Sequence, residues 1–396
     1  MTYRVWLAAD SKNRDLLALS ALKVELERQL PDALVLVCSF DLWQQGLLFR
    51  PHLVCLNHLH GKRNSRLIAD HVKRNGGLVA VLPTEGRPST QGQIDWVTKG
   101  FDASLCDLYL SWTQTIADLI PPEANPVVTG CGRFDFYYPP YNAVIGSKVE
   151  ICGLHGLDPD REIITVASSF PQAKFAYLAQ EFNKSDWVDL KIVGIEGRED
   201  PVAFAKAELN SQKQFMDILL AYRFHHEAQF VVKPHPADDV VPWRTFCQEH
   251  NMNLWLSGTI YELLKISNQH IGRPGCVTLN EAWVAGVRTL AFVTENDELT
   301  GSVKEALECT RSASSVADVM AFGYSGAQAG QSDFIQKWLG PIPGSTERVA
   351  NAIKDILCAK KPEVRAPTTE ELGQVHVALM QHNTLHSTPQ TDAYGQ

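Results

Sequence analysis

The stretch Phe230–Asp239, FVVKPHPADD, drives an apolar run into a histidine held between two prolines. Phe230, Val231 and Val232 follow one another without polar alternation, the pattern of a strand covered on both faces. The prolines fix φ and bias the residues before them toward extended backbone, so this strand ends in a rigid corner. Such a corner serves either as a surface turn or as a mount that holds one imidazole still. The segments around it decide what kind of sheet the strand joins.

Working outward, short apolar runs alternate with amphipathic segments. Toward the C-terminus come NLWLSG, the helix TIYELLKIS, the strand QHIG, the helix VTLNEAWVAG and the strand RTLAFVT. Toward the N-terminus come the helix DPVAFAKAELNSQKQFMDILLAYRFH, then LKIVGIEG and EIITVASSF. The first third repeats the rhythm, with YRVWLAA, the helix NRDLLALSALKVELERQL, ALVLVCSF, PHLVCLNHL, the helix RNSRLIADHVKRNG, GLVAVLPTEG, LCDLYLSW and PVVTGCGRFDF. Strands alternating with helices predict parallel sheets, and two such series predict two doubly wound, Rossmann-like α/β domains. The proline- and aromatic-rich FYYPPYNAVIGSKVEICG interrupts the series. The expected boundaries are therefore 1–150, 151–360 including a final helix, and 361–396 as a polar tail or linker without periodicity.

Composition limits the function classes. The chain has 396 residues, 45% of them hydrophobic and 20% charged, ample for two cores. A formal charge of −9 argues against a nucleic-acid partner, which calls for a basic face. The nine cysteines are scattered without C-x-x-C or zinc spacing, the pattern of a reduced, cytoplasmic protein. No apolar run is long enough to span a bilayer, and the N-terminus reads as a strand and polar turn instead of a signal peptide.

Ligands of doubly wound sheets sit at the carboxyl ends of strands, where His235 and Pro236 are expected. One cycle downstream, GRPGCVTLNEAWVAG (Gly272–Gly286) leads a glycine loop into a helix. Free backbone N–H groups at such a helix start suit a phosphate, and a carboxylate one turn in, Glu281, reaches a ribose diol. Thr278 and Glu281 also match the T-x-x-E capping box, which needs no ligand. In GIEGRED (Gly194–Asp200) the carboxylates Glu196, Glu199 and Asp200 surround Arg198, while Asp200 before Pro201 also fits an ordinary N-cap. Glu85 in PTEG stands at a strand end of the first half and fits either a general base or a cap. His58 and His60, with Lys62, Arg63 and Arg66, form a basic loop that reads either as a solvated loop or as a contact for an acceptor or a membrane surface.

The lysine-proline-histidine-proline corner, followed by a small-residue loop and an E-A-x-x-x-G helix, resembles glycosyltransferases of GT-B architecture. VLPTEG (Val81–Gly86), VTGCGRFDF (Val128–Phe136) and TVASSFPQA (Thr165–Ala173) resemble matching motifs of bacterial surface-carbohydrate proteins that include retaining β-Kdo transferases. Two positions depart from the pattern: Cys131-Gly132 replaces an Asn-Pro pair, and Cys276-Val277 replaces a Ser/Thr pair. The resemblance spans about residues 3 to 357. It implies two domains facing a central cleft, CMP-Kdo as donor substrate and no cofactor or metal. The implied acceptor is a glycan or lipid-linked oligosaccharide of lipopolysaccharide O-antigen or capsule. The implied place of work is the cytoplasm or the inner membrane face, beside other glycosyltransferase domains. His235 would contact the CMP phosphate, Glu281 the ribose, and Ser168 and Ser169 the donor. Lys233 and Arg273 would pair with phosphate or the Kdo carboxylate, and Gly275 and Thr278 would offer the phosphate loop. Retention calls for a carboxylate nucleophile, here Asp200, then Glu196 or Glu199, with Glu85 as acceptor base. Two other readings remain, a CDP-alcohol phosphotransferase of teichoic-acid type and a non-catalytic glycan-binding domain.

Overall fold

The computed structural model describes residues 2–59, 64–84, 101–178, 201–274, 276–300, 307–321 and 330–387. Two compact units emerge. The first comprises Met1–Pro88, Gln93–Asp135 and Lys337–Gln396, and the second comprises Ser89–Gly92 and Phe136–Gln336.

In the first unit six parallel strands lie in the order β2-β1-β3-β4-β5-β6. These are β1 (Arg4–Ala9), β2 (Leu34–Ser39), β3 (Leu53–Leu56), β4 (Leu78–Val81), β5 (Leu108–Ser111) and β6 (Pro126–Val128). Every residue of β1, β3, β4 and β5 is buried, as continuous apolar runs require of strands covered on both faces. Helix α1 (Lys12–Gln29) turns Leu19, Leu22 and Leu26 to one face at three- and four-residue intervals. That stripe packs in one core with Val349, Ala350, Ile353 and Leu357 of a second helix, Ser345–Lys360.

This second helix corrects the expected boundaries: the last helix of the alternating series belongs with the first unit. The cause is specific. Asp135, buried in the VTGCGRFDF segment, accepts hydrogen bonds from the backbone N–H of Gly344 (2.8 Å), Ser345 (3.1 Å) and Thr346 (2.6 Å). Its carboxylate thus satisfies orphan donors at the helix start and opposes the positive end of the dipole. Gly130 in the same segment has φ 77°, and a Cβ there would strike Ser345 Oγ and Pro341 O, so the close approach requires glycine. The polar tail also differs from expectation, because Thr369–Ser387 is helical. Glu371 anchors it, accepting from Arg50 at 2.7 Å and from Arg365 at 2.5 Å.

The second unit holds six parallel strands in the order β12-β11-β10-β7-β8-β9. They are β7 (Ile163–Ala167), β8 (Gln229–Lys233), β9 (Asn253–Leu254), β10 (Gln269–Gly272), β11 (Arg288–Phe292) and β12 (Arg311–Ala313). Phe170, Phe215, Phe230, Trp243 and Phe292 fill its core. Among the described residues, no helix is long and apolar enough to cross a membrane. The fold is thus α/β, two doubly wound parallel sheets. Glu85, His60, Lys62, Arg63, Glu196, Arg198, Glu199, Asp200 and Gly275 lie outside the described residues.

Candidate functional site

From β7 the chain proceeds to β8 and β9 on one side, then crosses to β10, β11 and β12 on the other. The loops leaving β7 and β10 therefore diverge, and the second unit has its topological switch point there. Three loops meet at this edge: Ser168–Phe170 after β7, Pro234–Asp239 after β8, and the one carrying Arg273 and Cys276 after β10.

Asp238 joins the first two. It accepts from Ser168 Oγ at 2.5 Å and from the Phe170 backbone N–H at 2.8 Å, while its own N–H donates to His235 O at 2.9 Å. Burial pushes its pKa up, opposed by the Ser168 hydrogen bond and the nearby His235. The adjacent Asp239 caps the next helix through Val241 N–H at 3.0 Å, which leaves Asp238 to reach across. The acidic pair after the second proline was the available signal for this clamp, and the sequence reading passed over it.

His235 and Pro236 are exposed, whereas Pro234 is buried. The N–H of Ala237 donates to His235 Nδ1 at 3.1 Å. Nδ1 must therefore be unprotonated, which assigns the proton of the neutral ring to Nε2. Lys233 turns away from the anion role expected of it. Its ammonium donates to the carbonyls of Ser257 (3.2 Å) and Gly258 (2.9 Å), and burial lowers its pKa against the pull of Glu262.

Arg273 is likewise engaged inside the protein. Its guanidinium donates to Asp297 (2.5 Å), to both oxygens of Glu208 (3.0 and 2.8 Å) and to Ser169 O (2.8 Å). It also lies 4.5 Å from the centroid of the Phe170 ring. All three charged residues are buried. A buried guanidinium needs such partners, and here they fix the β7 loop from the side opposite Asp238. Arg273 thus shapes the site. Ser169 contributes its backbone carbonyl to this lock.

Helix α2 (Val277–Val284) begins at Cys276 with no side-chain cap on its first turn. The capping-box alternative for Thr278 and Glu281 is not formed. Thr278 Oγ1 lies 3.0 Å from Cys276 Sγ and 3.3 Å from His270 Nε2 instead. His270 is fully buried beside Thr165 Oγ1 at 2.9 Å, and desolvation lowers its pKa to about 3, so it is neutral. Burial raises the Cys276 thiol pKa, and the Glu281 and Asp238 carboxylates add to the rise. Both carboxylates thus act on the start of α2. Glu281 itself is buried and accepts a hydrogen bond from Tyr137 at 2.5 Å. Tyr137 is a second residue the sequence reading missed, because nothing local links it to a helix over one hundred positions away.

The arrangement presents an uncapped helix start, an imidazole with a protonated Nε2 and a positioned carboxylate around one loop cluster. The helix start and the imidazole N–H suit an anionic group such as a phosphate, placed clear of the Asp238 and Glu281 carboxylates. No group of three or more His, Cys, Asp or Glu residues with metal-site geometry occurs among the described residues.

No protein-family model matches the chain. No curated protein matches it in sequence. Solved structures do match. The wall teichoic acid polymerase TagF is 9% identical, with 90% of this chain and 89% of that chain covered and a TM-score of 0.53. A UDP-GlcNAc 2-epimerase from Methanocaldococcus jannaschii is 11% identical, covering 96% and 100% with a TM-score of 0.46. MurG from Acinetobacter baumannii is 9% identical, covering 91% and 99% with a TM-score of 0.38. At 9% identity the likeness to TagF is one of fold alone, two doubly wound α/β units of GT-B type.

Proposed function

We propose that the chain is a glycosyltransferase of GT-B type that moves Kdo from CMP-Kdo onto a bacterial surface glycan. The observation that carries this reading is the loop cluster at the β7/β10 switch point. There His235 stands on a turn closed by its own backbone and ring, and Asp238 of the same turn acts electrostatically on Cys276 at the uncapped start of α2. In the proposed reaction the CMP phosphate rests on the helix start, and His235 Nε2–H supports the charge that develops on the leaving group. Glu281 holds the ribose hydroxyls. Ser168, clamped by Asp238, borders the same space. The bond between the Kdo anomeric carbon and the phosphate oxygen breaks, and CMP leaves with the electron pair.

The reading assigns retention to a carboxylate that attacks the anomeric carbon and is then displaced by the acceptor hydroxyl. Asp200 is the proposed nucleophile, with Glu196 and Glu199 behind it and Glu85 as the proposed base. The donor class and these roles draw their support from the motif resemblance. A phosphotransferase on a CDP-linked alcohol is the second reading, favoured by the same corner and by a neighbour named as a wall teichoic acid polymerase.

The test incubates the protein with CMP-Kdo, CDP-glycerol and UDP-N-acetylglucosamine and follows nucleotide release together with intact mass. CMP release and one added Kdo mass, absent in Asp200→Ala, are expected. Turnover of CDP-glycerol alone would establish the second reading, and an adduct persisting in Asp200→Ala would move the nucleophile to Glu196 or Glu199.

A further inference from the structure

A pocket of about 390 Å³ opens in the second unit, away from the loops just described. Ser267 and Asn268 precede β10 and Arg288 opens β11, so the pocket lies at the amino ends of these strands. The candidate phosphate loop follows the carboxyl end of β10, four residues on, roughly 13 Å along the strand. The two places are distinct.

The pocket wall combines three chemistries. Phe136, Tyr137 and Tyr261 form an aromatic side, with Tyr261 centred 5.3 Å from each of the other two rings. Lys265 and Arg288 stand exposed at the rim. Lys265 has no ion-pair or hydrogen-bond partner among the described residues, and Arg288 meets only the exposed Glu162 at 3.3 Å and Asn268 O at 3.5 Å. The third component is polar and uncharged: the side-chain amide of Asn142, and the C-terminal ends of α2 and of the helix Ile260–Ile266.

These features exclude some ligands and favour one class. Two helix C-termini present partial negative charge, which disfavours an anion deep in the pocket, a dianionic phosphate most of all, and leaves the rim beside Lys265 and Arg288 as the place for a carboxylate. Phe136 and Tyr261 are buried behind the pocket wall, and the half-buried Tyr137 ring offers a face to the apolar C–H side of a sugar ring, while the exposed cations accept a carboxylate. A volume near the lower end of the usual range for small-molecule sites fits one ring and its substituents. We propose that this pocket is a glycan-anchoring subsite that takes one carboxylate-bearing sugar unit of an oligosaccharide. The choice of a saccharide ligand rests on the transferase reading above; the pocket's chemistry supplies the carboxylate preference. Tyr137 also links the two regions, since its ring lines the pocket while its hydroxyl holds Glu281.

The experiment titrates the full chain by calorimetry with hyaluronan tetrasaccharide, with neutral chitotetraose and, separately, with CMP. The acidic tetrasaccharide should bind more tightly than the neutral one. The exposed double variant K265E/R288E should weaken the acidic ligand at least about tenfold and leave CMP affinity within about twofold. Asn142→Ala should weaken both tetrasaccharides. Equal binding of the two tetrasaccharides, binding of neither, or an acidic affinity unchanged in K265E/R288E would overturn the inference. Loss of CMP binding in the parent would instead count against the donor-site reading, so the two failures are distinguishable.

Discussion

Ser168 and Asp238, seventy positions apart, meet at 2.5 Å where the hydroxyl of one donates to the carboxylate of the other. This contact fixes the β7 loop to the Pro-His-Pro turn and so sets where His235 stands. Asp238→Ala removes the acceptor for both Ser168 Oγ and Phe170 N–H, and should lower CMP affinity about tenfold with a stability loss of about 1–3 kcal/mol. Asp238→Asn keeps an acceptor for Phe170 and a donor for Ser168, and should recover most of both. Calorimetry and thermal melting check this; an Asn variant as weak as Ala would show that charge, and not position, is what Asp238 supplies.

His235→Ala should cost little folding energy because the ring is exposed, with a change in stability near 0.5 kcal/mol. CMP affinity and turnover should both fall sharply. A melting temperature that drops while CMP affinity holds would make the corner a structural turn.

Glu281→Gln keeps the size of a side chain that is buried against Tyr137. If the carboxylate binds the ribose, the variant should discriminate less than the parent between CMP and 2′-deoxy-CMP. Unchanged discrimination would confine Glu281 to supporting Tyr137.

Arg273→Met leaves Glu208 and Asp297 buried without their cation. Breaking a buried ion pair in this way should cost about 3–5 kcal/mol, read as a lowered denaturant midpoint. A loss below about 1 kcal/mol, with CMP affinity abolished, would return Arg273 to the ligand role expected from the sequence.

Burial holds His270 at a pKa of about 3, below the 6.5 of an ordinary histidine. Between those values the unfolded chain binds a proton that the folded chain does not. Its contribution to stability is therefore full above pH 6.5 and declines as pH falls, by about 1.4 kcal/mol per pH unit within that window. Denaturant midpoints at pH 7 and pH 5 should differ less in His270→Gln than in the parent, even if the variant is weaker at both. Equal differences would place the acid sensitivity elsewhere.

The sequence by itself determined the parallel α/β character and the two series of strands. Continuous apolar runs such as VWLAA and FVVK can be satisfied only by burial on both faces, and that requirement is local. It also placed His235 and the start of α2 at the carboxyl ends of their strands, because strand direction and loop position follow from chain order. Tertiary structure alone decided which side chains remain available there. Lys233 and Arg273 look alike in sequence as cations beside a loop, yet one spends its ammonium on the carbonyls of Ser257 and Gly258 and the other is locked to Glu208 and Asp297. The same holds for the helix Ser345–Lys360, which joins the first unit because Asp135, some two hundred residues earlier, satisfies its N–H groups. Periodicity reports which face of an element is buried; the partner that buries it or pairs its charge is set by contacts between distant positions, which no local pattern encodes.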